Sequence, residues 1–367
     1  MQILKRWFKH TAVLLVGLAL SLGLCAAAWA PESPPPQWVA TLPAGNAVKD
    51  PRSLLRMSLP IDNTYIRQVQ NYLDGTSPQL RGKRWGDISR DISKATAVVM
   101  QHKAEILADI PEAKQAEAET WIADLQAGLV NLKEVVQDKS PDSFKAARTS
   151  VLTLVGNLEA AMVTQFPFEV PEEYSHLPQL KGRATVVLET TQGPITIAVD
   201  GYSAPVTAGN FVDLVQRGFY DGMPITRAEE FYVVQTGDPE GPADGFIDPD
   251  TGEYRSIPLE ILVEGDKEPI YEFTLEEMGL YEAHPVLPFS AYGTVAMACP
   301  SDNPNGGSSQ FFFLLFEPEL TPAGSNLLDG RYAVFGYTLE GQEALGELTT
   351  DDKIISAKVI QGAENLV

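Results

Sequence analysis

The stretch YDGMPITRAEEFYVVQTGD, residues 220–238, decides how the second half of this chain folds. It places Arg227 eight residues ahead of Gln235, and apolar and aromatic residues fill the second half of the gap. Side chains alternate along a strand, so Gln235 and Val233 point to one face of the predicted strand and Tyr232 points to the other. The stretch therefore predicts a strand in which an amide lies among apolar side chains, with a guanidinium close by in sequence.

Two later stretches have the same character. Residues 293–316, GTVAMACPSDNPNGGSSQFFFLLF, are two apolar strand-like runs joined by an Asn/Pro/Gly loop, and residues 327–336 read LLDGRYAVFG. Together the three stretches resemble the cyclophilin family of peptidyl-prolyl isomerases, whose Arg, Gln and aromatic signatures come in this order and at similar spacings. The resemblance covers residues 181–361, about half of the chain.

The C-terminal half has the strand pattern of a barrel. Alternating runs, ATVVLETT and PITIAVD, flank Gln192-Gly193, which predicts a hairpin. A helix is predicted over residues 205–216 and a last strand over residues 354–360. Many short strands with few helices indicate a closed antiparallel β-barrel of cyclophilin type with flanking helices, in line with the resemblance. This second domain is predicted over residues 183–367.

The charge of the chain is unevenly distributed. With 367 residues and 44% hydrophobic composition, the chain is long enough for two domains with separate cores. Its formal charge of −22 argues against a nucleic-acid partner, because phosphate binding needs a basic surface. Residues 1–180 hold 18 Lys and Arg against 19 Asp and Glu, whereas residues 181–367 hold 9 against 30. The acidic half is either a solvated surface or one that repels acidic partners and attracts basic ones.

Residues 1–30 combine a cationic start, an apolar run and a group of small residues. This is the build of an export signal, too short and too one-sided for a stable membrane span. Cleavage fits after Ala30 or after Ala28. Cys25 raises a lipid anchor as an alternative, which Leu24 disfavours because a small residue is wanted there. The mature chain is therefore predicted to be exported and soluble.

Residues 31–48 are Pro/Ala-rich and predict a flexible lead-in, after which the periodicity becomes helical. Apolar residues recur at three- and four-residue spacings in successive segments, which predicts a helical bundle over residues 49–165. Asp62, Pro111 and Ser140 are expected to stand where helices begin. The stripe residues are Tyr65, Ile66, Val69 and Leu73; Ile88, Ile92, Ala95, Val99, His102 and Ile106; Ile122, Leu125, Leu129, Leu132 and Val136; and Phe144, Ala147, Val151, Leu154, Leu158 and Ala161.

The bundle contains no catalytic cluster. His102 falls on an apolar stripe and is interpreted as a core or rim histidine rather than a ligand. A bundle of this kind is usually a scaffold or a docking surface. Residues 166–182, with three prolines and several aromatic side chains, predict an extended connector that packs rather than floats.

The chemistry of proline isomerisation fits the stretch that opens this section. Amide resonance sets a barrier of about 18–20 kcal/mol, so a catalyst must favour a twisted amide whose nitrogen has become basic. A fixed donor aimed at that nitrogen is needed, and no metal, cofactor or nucleophile is required. Arg227 suits this role because a guanidinium stays charged and presents its donors in a rigid fork. Gln235 can hold that fork or bind the substrate carbonyl, and an apolar pocket must take the proline ring.

The resemblance assigns a role to each matching position. It makes Arg227 the catalytic arginine, Gln235 its partner and Phe312 the floor of the proline pocket, with Ala298 and Gln310 as substrate contacts. The predicted site has Arg227 and Gln235 as catalytic residues and, as substrate-binding residues, Tyr232, Val233, Ala298, Cys299, Gln310, Phe312, Leu328 and Tyr332.

Five positions depart from the family pattern. Tyr232 and Val233 stand where the family has Phe and Met, and they keep the pocket apolar. Cys299 replaces an Asn, Leu327 replaces a Trp and Tyr332 replaces the pocket His. A thiol cannot make the hydrogen bonds of an amide, so activity is expected to be lowered. Cyclosporin binding is expected to be weak because the indole donor is missing.

An acidic insert, over about residues 239–290, makes this chain longer than ordinary cyclophilins. In its DPDTGEY stretch, Asp248, Asp250 and Gly252 come in an order similar to a calcium loop, but the Gly and the final Glu do not stand at the positions of an EF-hand. The insert is interpreted as a surface element or a flap that packs against the bundle, and no metal is predicted. Cys299 is the cysteine left after signal removal; it is either a buried inert thiol or a redox sensor at the pocket.

The order of segments gives a closer resemblance. An export signal, a helical bundle, the connector FPFEVPEEY and a cyclophilin domain follow one another as in the large thylakoid-lumen cyclophilins of oxygenic phototrophs. In that family the bundle is similar to small extrinsic subunits of photosystem II, and the protein assists assembly and maintenance of that complex. The sequence thus predicts a peptidyl-prolyl isomerase in the thylakoid lumen or the periplasm, acting on Xaa-Pro segments of client proteins. The alternatives are a proline-peptide-binding assembly factor and a docking protein that works through the bundle.

Overall fold

The computed structural model of the chain describes residues 48–316 and 326–367. The predicted export signal and all of the predicted lead-in except Val48 lie outside the described residues. The N-terminal part of the described chain is helical. Its α-helices are α1 (Pro51–Met57), α2 (Thr64–Asp74), α3 (Thr76–Arg81), α4 (Trp85–Gln101), α5 (Lys103–Ala108), α6 (Glu112–Val135) and α7 (Pro141–Met162).

The predicted helix starts are confirmed at two places and wrong at one. The side chain of Ser140 caps α7 by accepting a hydrogen bond from the backbone N–H of Ser143, and α6 begins directly after Pro111. Helix α2, however, is capped by Asn63 and not by Asp62, because the Asn63 side chain accepts the N–H of Ile66 at 3.0 Å.

The apolar stripes form one core, which confirms the helical bundle. The stripe of α4 ends one turn earlier than predicted, because the helix stops at Gln101 and α5 starts at Lys103. His102 lies between them and stacks on Tyr65, with ring centroids 3.9 Å apart. The histidine is thus a rim residue of the bundle, as interpreted from the sequence.

The C-terminal part is built on a sheet whose described pairings are all antiparallel. Helix α8 (Pro205–Gln216) packs on it at the predicted bounds, and a short α9 (Gln342–Glu347) precedes the last strand. The strands are β1 (Arg183–Thr190), β2 (Gly193–Asp200), β3 (Ile225–Glu229), β4 (Val233–Thr236), β5 (Glu260–Ile261), β6 (Ile270–Tyr271), β7 (Thr294–Met297), β8 (Phe311–Leu314), β9 (Val334–Glu340) and β10 (Ile354–Gln361).

The predicted closed barrel is correct only in part. Eight strands join in the order β10-β1-β2-β9-β7-β8-β4-β3, so β10 and β3 are the two ends of the sheet. The ends meet at a single bridge between Pro224 and Lys353, where the N–H of Ile225 donates to the Asp352 carbonyl at 3.0 Å. The sheet therefore curls round into a half-barrel, because among the described residues no continuous ladder joins β10 to β3.

The acidic insert packs against the sheet core rather than projecting from it. Strands β5 and β6 pair with each other, and the side chains of Leu259, Ile261 and Leu275 are buried in the core of the sheet. The DPDTGEY stretch is a tight hairpin in which the N–H of Gly252 donates to the Asp248 carbonyl. In the described residues, no group of three or more His, Cys, Asp and Glu side chains is placed to hold a metal ion.

A buried carboxylate fixes the insert to helix α8. Glu260 is 1% exposed, and its carboxylate accepts the backbone N–H groups of Val206 and Thr207 at 3.1 and 3.0 Å. A carboxylate is favoured at a helix N-terminus because these N–H groups have no partner inside the helix. Burial nevertheless raises the pKa of Glu260 to about 7, against the lowering effect of those hydrogen bonds.

We expect Glu260→Gln to flatten the pH dependence of stability. Because the pKa of Glu260 is raised in the folded state, its protonation stabilises the fold as the pH falls from about 7 to about 4.5. The free energy of unfolding measured by urea denaturation at about pH 5 and pH 8 should differ less in the variant, by on the order of 2–3 kcal/mol. The exposed Glu268→Gln is the control, and equal pH dependence in all three proteins would contradict the assignment.

Helix α1 joins the bundle to the sheet. Leu54 and Leu55 are buried in an apolar cluster with residues of the sheet, Phe312 among them. Arg183 of β1 donates from Nη2 to the hydroxyl of Ser58 at 2.9 Å and from Nε to the carboxylate of Asp200 at 2.7 Å. The bundle and the sheet thus keep the separate cores that the sequence predicts, and both belong to one compact unit, Gly45–Val367.

The connector also packs, as its aromatic residues predict. Tyr174 stacks on Tyr271 of β6, and its hydroxyl donates to the carboxylate of Glu272 at 2.6 Å. The proposed domain boundaries, 49–165, 166–182 and 183–367, stay predictions. Among the described residues, no helix is both long and apolar enough to span a bilayer.

Candidate active site

Strand pairing places three of the predicted site residues in one row. Arg227 of β3 lies opposite Gln235 of β4, and Gln235 lies opposite Phe312 of β8. Directly paired residues of an antiparallel sheet project from the same face. The guanidinium, the amide and the phenyl ring therefore share one face of the sheet, across three neighbouring strands.

A cavity of about 130 Å³ opens on this face. It is lined by nine of the ten residues that the sequence singles out: Arg227, Tyr232, Val233, Gln235, Ala298, Cys299, Phe312, Leu328 and Tyr332. The tenth, Gln310, does not line the cavity, but it accepts a hydrogen bond from Gln235 Nε2 at 2.8 Å. The structure thus brings all ten positions together, although they are spread over more than a hundred residues of sequence.

The floor of the cavity is aromatic. Phe312 is 6% exposed and stacks on Phe289, with centroids 6.0 Å apart and ring planes 7° apart. Tyr332 meets Phe312 edge to face at 5.3 Å. Such a surface offers an apolar ring such as that of proline a contact area without unpaired polar groups.

The loop over residues 326–331 forms one rim. Both Asp329 carboxylate oxygens accept backbone N–H groups at 2.8 Å, one from Phe289 and one from Asn326. This ties the rim loop that carries Leu328 to the ring that supports Phe312. Sequence reasoning missed Phe289, which lies outside the three signature stretches, and Asp329, which lies in the third stretch but was given no role there.

The partner of Arg227 differs from the one that the sequence predicts. Its Nε and Nη2 atoms both lie 2.7 Å from Oε1 of Glu229, and its guanidinium lies 5.6 Å from the ring centre of Tyr232. Gln235 donates to Gln310 instead, so among the described residues the guanidinium is held by Glu229 and not by Gln235. The sequence contained a signal for this ion pair, because Arg227 and Glu229 are two residues apart and residues two apart in a strand share a face.

Three further residues of the cavity have a fixed backbone partner or a raised side-chain pKa. The backbone N–H of Ala298 donates to the carbonyl of Gln310 at 2.9 Å, so this group joins β7 to β8 and is not offered to a client. Burial raises the pKa of the Cys299 thiol, which keeps it protonated and weakly nucleophilic. Burial likewise raises the pKa of Tyr332, so its hydroxyl remains a hydrogen-bond donor.

Two family models match the chain. A model described as cyclophilin-type peptidyl-prolyl cis-trans isomerase/CLD matches residues 185–364. A second, described as the PsbQ-like domain of CYP38-like peptidyl-prolyl cis-trans isomerases, matches residues 50–163. The matches correspond to the half-barrel and the helical bundle.

Full-length relatives have the same two parts in one chain. A putative thylakoid lumen peptidyl-prolyl cis-trans isomerase of Synechocystis sp. is 51% identical over 100% of this chain and 96% of its own length. The chloroplastic peptidyl-prolyl cis-trans isomerase CYP38 of Arabidopsis thaliana is 46% identical over 96% of this chain and 85% of its own. The Arabidopsis thaliana CYP37 isomerase, also chloroplastic, is 34% identical over 85% of this chain and 69% of its own. The chain therefore belongs to the cyclophilin-type peptidyl-prolyl cis-trans isomerases.

Proposed function

We propose that this chain isomerises Xaa-Pro bonds of client proteins in the cavity that Arg227 and Phe312 line. The observation that carries the proposal is their position on one face of the sheet, on either side of Gln235. A proline ring on Phe312 places its imide nitrogen within the space lined by the guanidinium. Membership of the cyclophilin-type isomerases supports the same activity.

The catalytic step needs only binding and electrostatics. As the amide twists, its nitrogen loses conjugation and gains a localised lone pair, to which an N–H of Arg227 donates a hydrogen bond. This bond is stronger in the twisted state than in either planar isomer, so it lowers the barrier instead of only strengthening binding. Phe312, Val233 and Leu328 hold the ring, and Gln235 orients the carbonyl before the proline.

We place the protein in the thylakoid lumen, with photosystem II subunits as clients that it helps to assemble or maintain. Two relatives support this location, since one is named a putative thylakoid lumen isomerase and the other a chloroplastic isomerase, and the bundle matches a PsbQ-like domain. A periplasmic location is the alternative. Protease protection of the protein in isolated thylakoids, and co-purification of photosystem II subunits with the tagged chain, test the two parts separately.

A binding module is the second candidate function. The ion pair with Glu229 occupies part of the Arg227 fork, and Cys299 lacks the hydrogen-bonding amide of the family, so turnover is expected to be low. The protein would then hold proline segments, or dock through the bundle, without isomerising them. NMR exchange spectroscopy on a peptide with one Ala-Pro bond separates the readings: the isomerase speeds cis-trans exchange, and the binder broadens or shifts signals without speeding it.

Position 327 offers a gain-of-function test of the pocket. Leu327 is 91% exposed at the rim, so a larger side chain there has room and costs little stability. We expect Leu327→Trp to bind cyclosporin about tenfold more tightly than the wild type, because the indole adds a donor and a flat surface. Leu327→Phe supplies the flat surface alone and is the control. Equal affinities of all three proteins, measured by calorimetry, would show that the ligand does not use this rim.

A further inference from the structure

The charges around the cavity point to a client preference that the family pattern does not contain. We propose that Glu229 is a specificity-determining residue, which holds Arg227 in the free protein and favours proline segments that carry a basic side chain beside the proline. The inference rests on the proposed function, since it concerns the same cavity, and it adds the charge of the client segment that this cavity prefers.

The contact itself is short and local. Glu229 ends β3 two residues after Arg227, and the chain then turns tightly, with the N–H of Tyr232 donating to the Glu229 carbonyl at 3.0 Å and Phe231 at φ 60°. This turn keeps the carboxylate beside the guanidinium, where one oxygen accepts two N–H donors at 2.7 Å. Both side chains are about half exposed, at 47% and 51%. A solute can therefore reach the pair.

The ion pair limits what Arg227 can offer. A guanidinium has five N–H donors, and the Nε edge is the one that Glu229 occupies. The negative charge of Glu229 also offsets the positive charge of the guanidinium. A hydrogen bond from one of the remaining donors to a prolyl nitrogen is therefore weaker than the same bond from an unpaired guanidinium. An ion pair at this exposure is weak enough for a competing cation to open.

Further acidic residues neighbour residues of the site. Glu230 is exposed on the turn next to Glu229. Gln310 donates to the backbone carbonyl of Asp244 at 2.9 Å. Burial, together with the charge of Asp244, raises the pKa of Asp238. A cationic client side chain is attracted to such a rim, and an acidic one is repelled.

These points together give a selection step. A lysine or arginine beside the client proline pairs with the Glu229 carboxylate and releases the Nε edge of Arg227 toward the bound imide. A neutral client leaves the pair intact, and an acidic client adds a second negative charge next to that of Glu229. Clients with a basic neighbour are then bound more tightly and turned over faster.

The test uses the full chain and its Glu229→Gln variant. Peptides with a single proline carry Lys, Ala or Glu on either side of it, and both affinity and cis-trans exchange are measured at low and high salt. Wild type should prefer the Lys over the Glu peptide by about five- to tenfold at low salt, and less at high salt. In Glu229→Gln the preference should fall below about twofold, while turnover of the Ala peptide rises about two- to fivefold.

Glu276→Gln is the matched control. Glu276 pairs with Arg331 at the same 2.7 Å and a similar exposure, outside the lining of the cavity, so this variant should keep the wild-type preference. An unchanged Lys-to-Glu ratio in Glu229→Gln would overturn the inference, as would an equal fall in Glu276→Gln. If the wild type shows no exchange at all, the proposed isomerase function fails, and the affinity ratios alone still decide the role of Glu229.

Discussion

Arg227→Ala should lower kcat/KM for an Ala-Pro peptide by about 100- to 1,000-fold, the size expected when a donor aimed at developing charge is removed. The loss should appear in kcat rather than in binding, because Phe312 still holds the proline ring. The affinity of the variant for the peptide should stay within about threefold of the wild-type value. NMR exchange rates at saturating peptide measure the first quantity, and a binding titration measures the second. Arg227→Lys keeps the charge without the fork and should recover only part of the rate.

Arg90→Ala is the control for this experiment. Arg90 of α4 is 61% exposed, pairs with Asp87 at 2.7 Å and does not line the cavity, so its removal changes net charge by the same amount. We expect turnover within about twofold of the wild type. Retained turnover in Arg227→Ala would rule out the guanidinium as the catalytic donor and leave the cavity as a binding site.

Arg67→Met should destabilise the protein by about 3–5 kcal/mol at about pH 8, the range for removing one partner of a buried ion pair. Arg67 of α2 bonds Glu159 of α7 at 3.2 Å and the carbonyls of Arg56 and Leu59 at 2.7 and 2.6 Å. Glu159 is 0% exposed, and its Oε2 has no hydrogen-bond partner among the described residues. Without Arg67 the buried carboxylate loses its hydrogen-bonded cation and keeps the weaker attraction of Arg56 and Arg183.

The pH dependence of this loss identifies its cause. Burial raises the pKa of Glu159 to about 7, so at about pH 5 the group is mostly neutral and the variant should lose less stability. The double variant Arg67→Met/Glu159→Gln removes both charges and should recover at least half of the loss at the higher pH. Urea denaturation followed by circular dichroism gives these free energies. A loss that is the same at both pH values, or that the double variant leaves in full, would mean that packing and not charge explains it.

Local pattern predicted most of the secondary structure. The stripes of α2, α4, α6 and α7 and the alternation in β1 and β2 are periodic over many residues, which makes them readable without the fold. Helices α1 and α3 were missed because seven and six residues are too few to show a period, although Asp50 followed by Pro51 is a typical helix start. The bounds of α8 were correct because Pro205 begins it and Gly218 follows its end.

The members of the candidate site were also predictable, but their contacts were not. Side chains of Arg227, Gln235 and Phe312 come together because their strands pair in register, and the family signature already encodes that register. The two-residue spacing of Arg227 and Glu229 put both side chains on one face of β3, but the family signature pairs the guanidinium with Gln235 and so gave no reason to prefer Glu229. The closed barrel was wrong in part because closure depends on how two distant strands end.

The sequence alone determined a helical bundle, an antiparallel sheet and ten side chains of the candidate site, nine of which line one cavity. Hydrophobic periodicity and signature spacing are properties of neighbouring residues, so they can be read along the chain. Only the tertiary structure decided that Glu260 caps α8, that Glu159 depends on Arg67 and that α1 joins the bundle to the sheet. These contacts link residues that are 53, 92 and more than a hundred positions apart. Such a contact forms only when the chain has packed, because the fold decides which distant donor or cation lies within reach of a buried carboxylate. Burial then makes an unpaired charge costly.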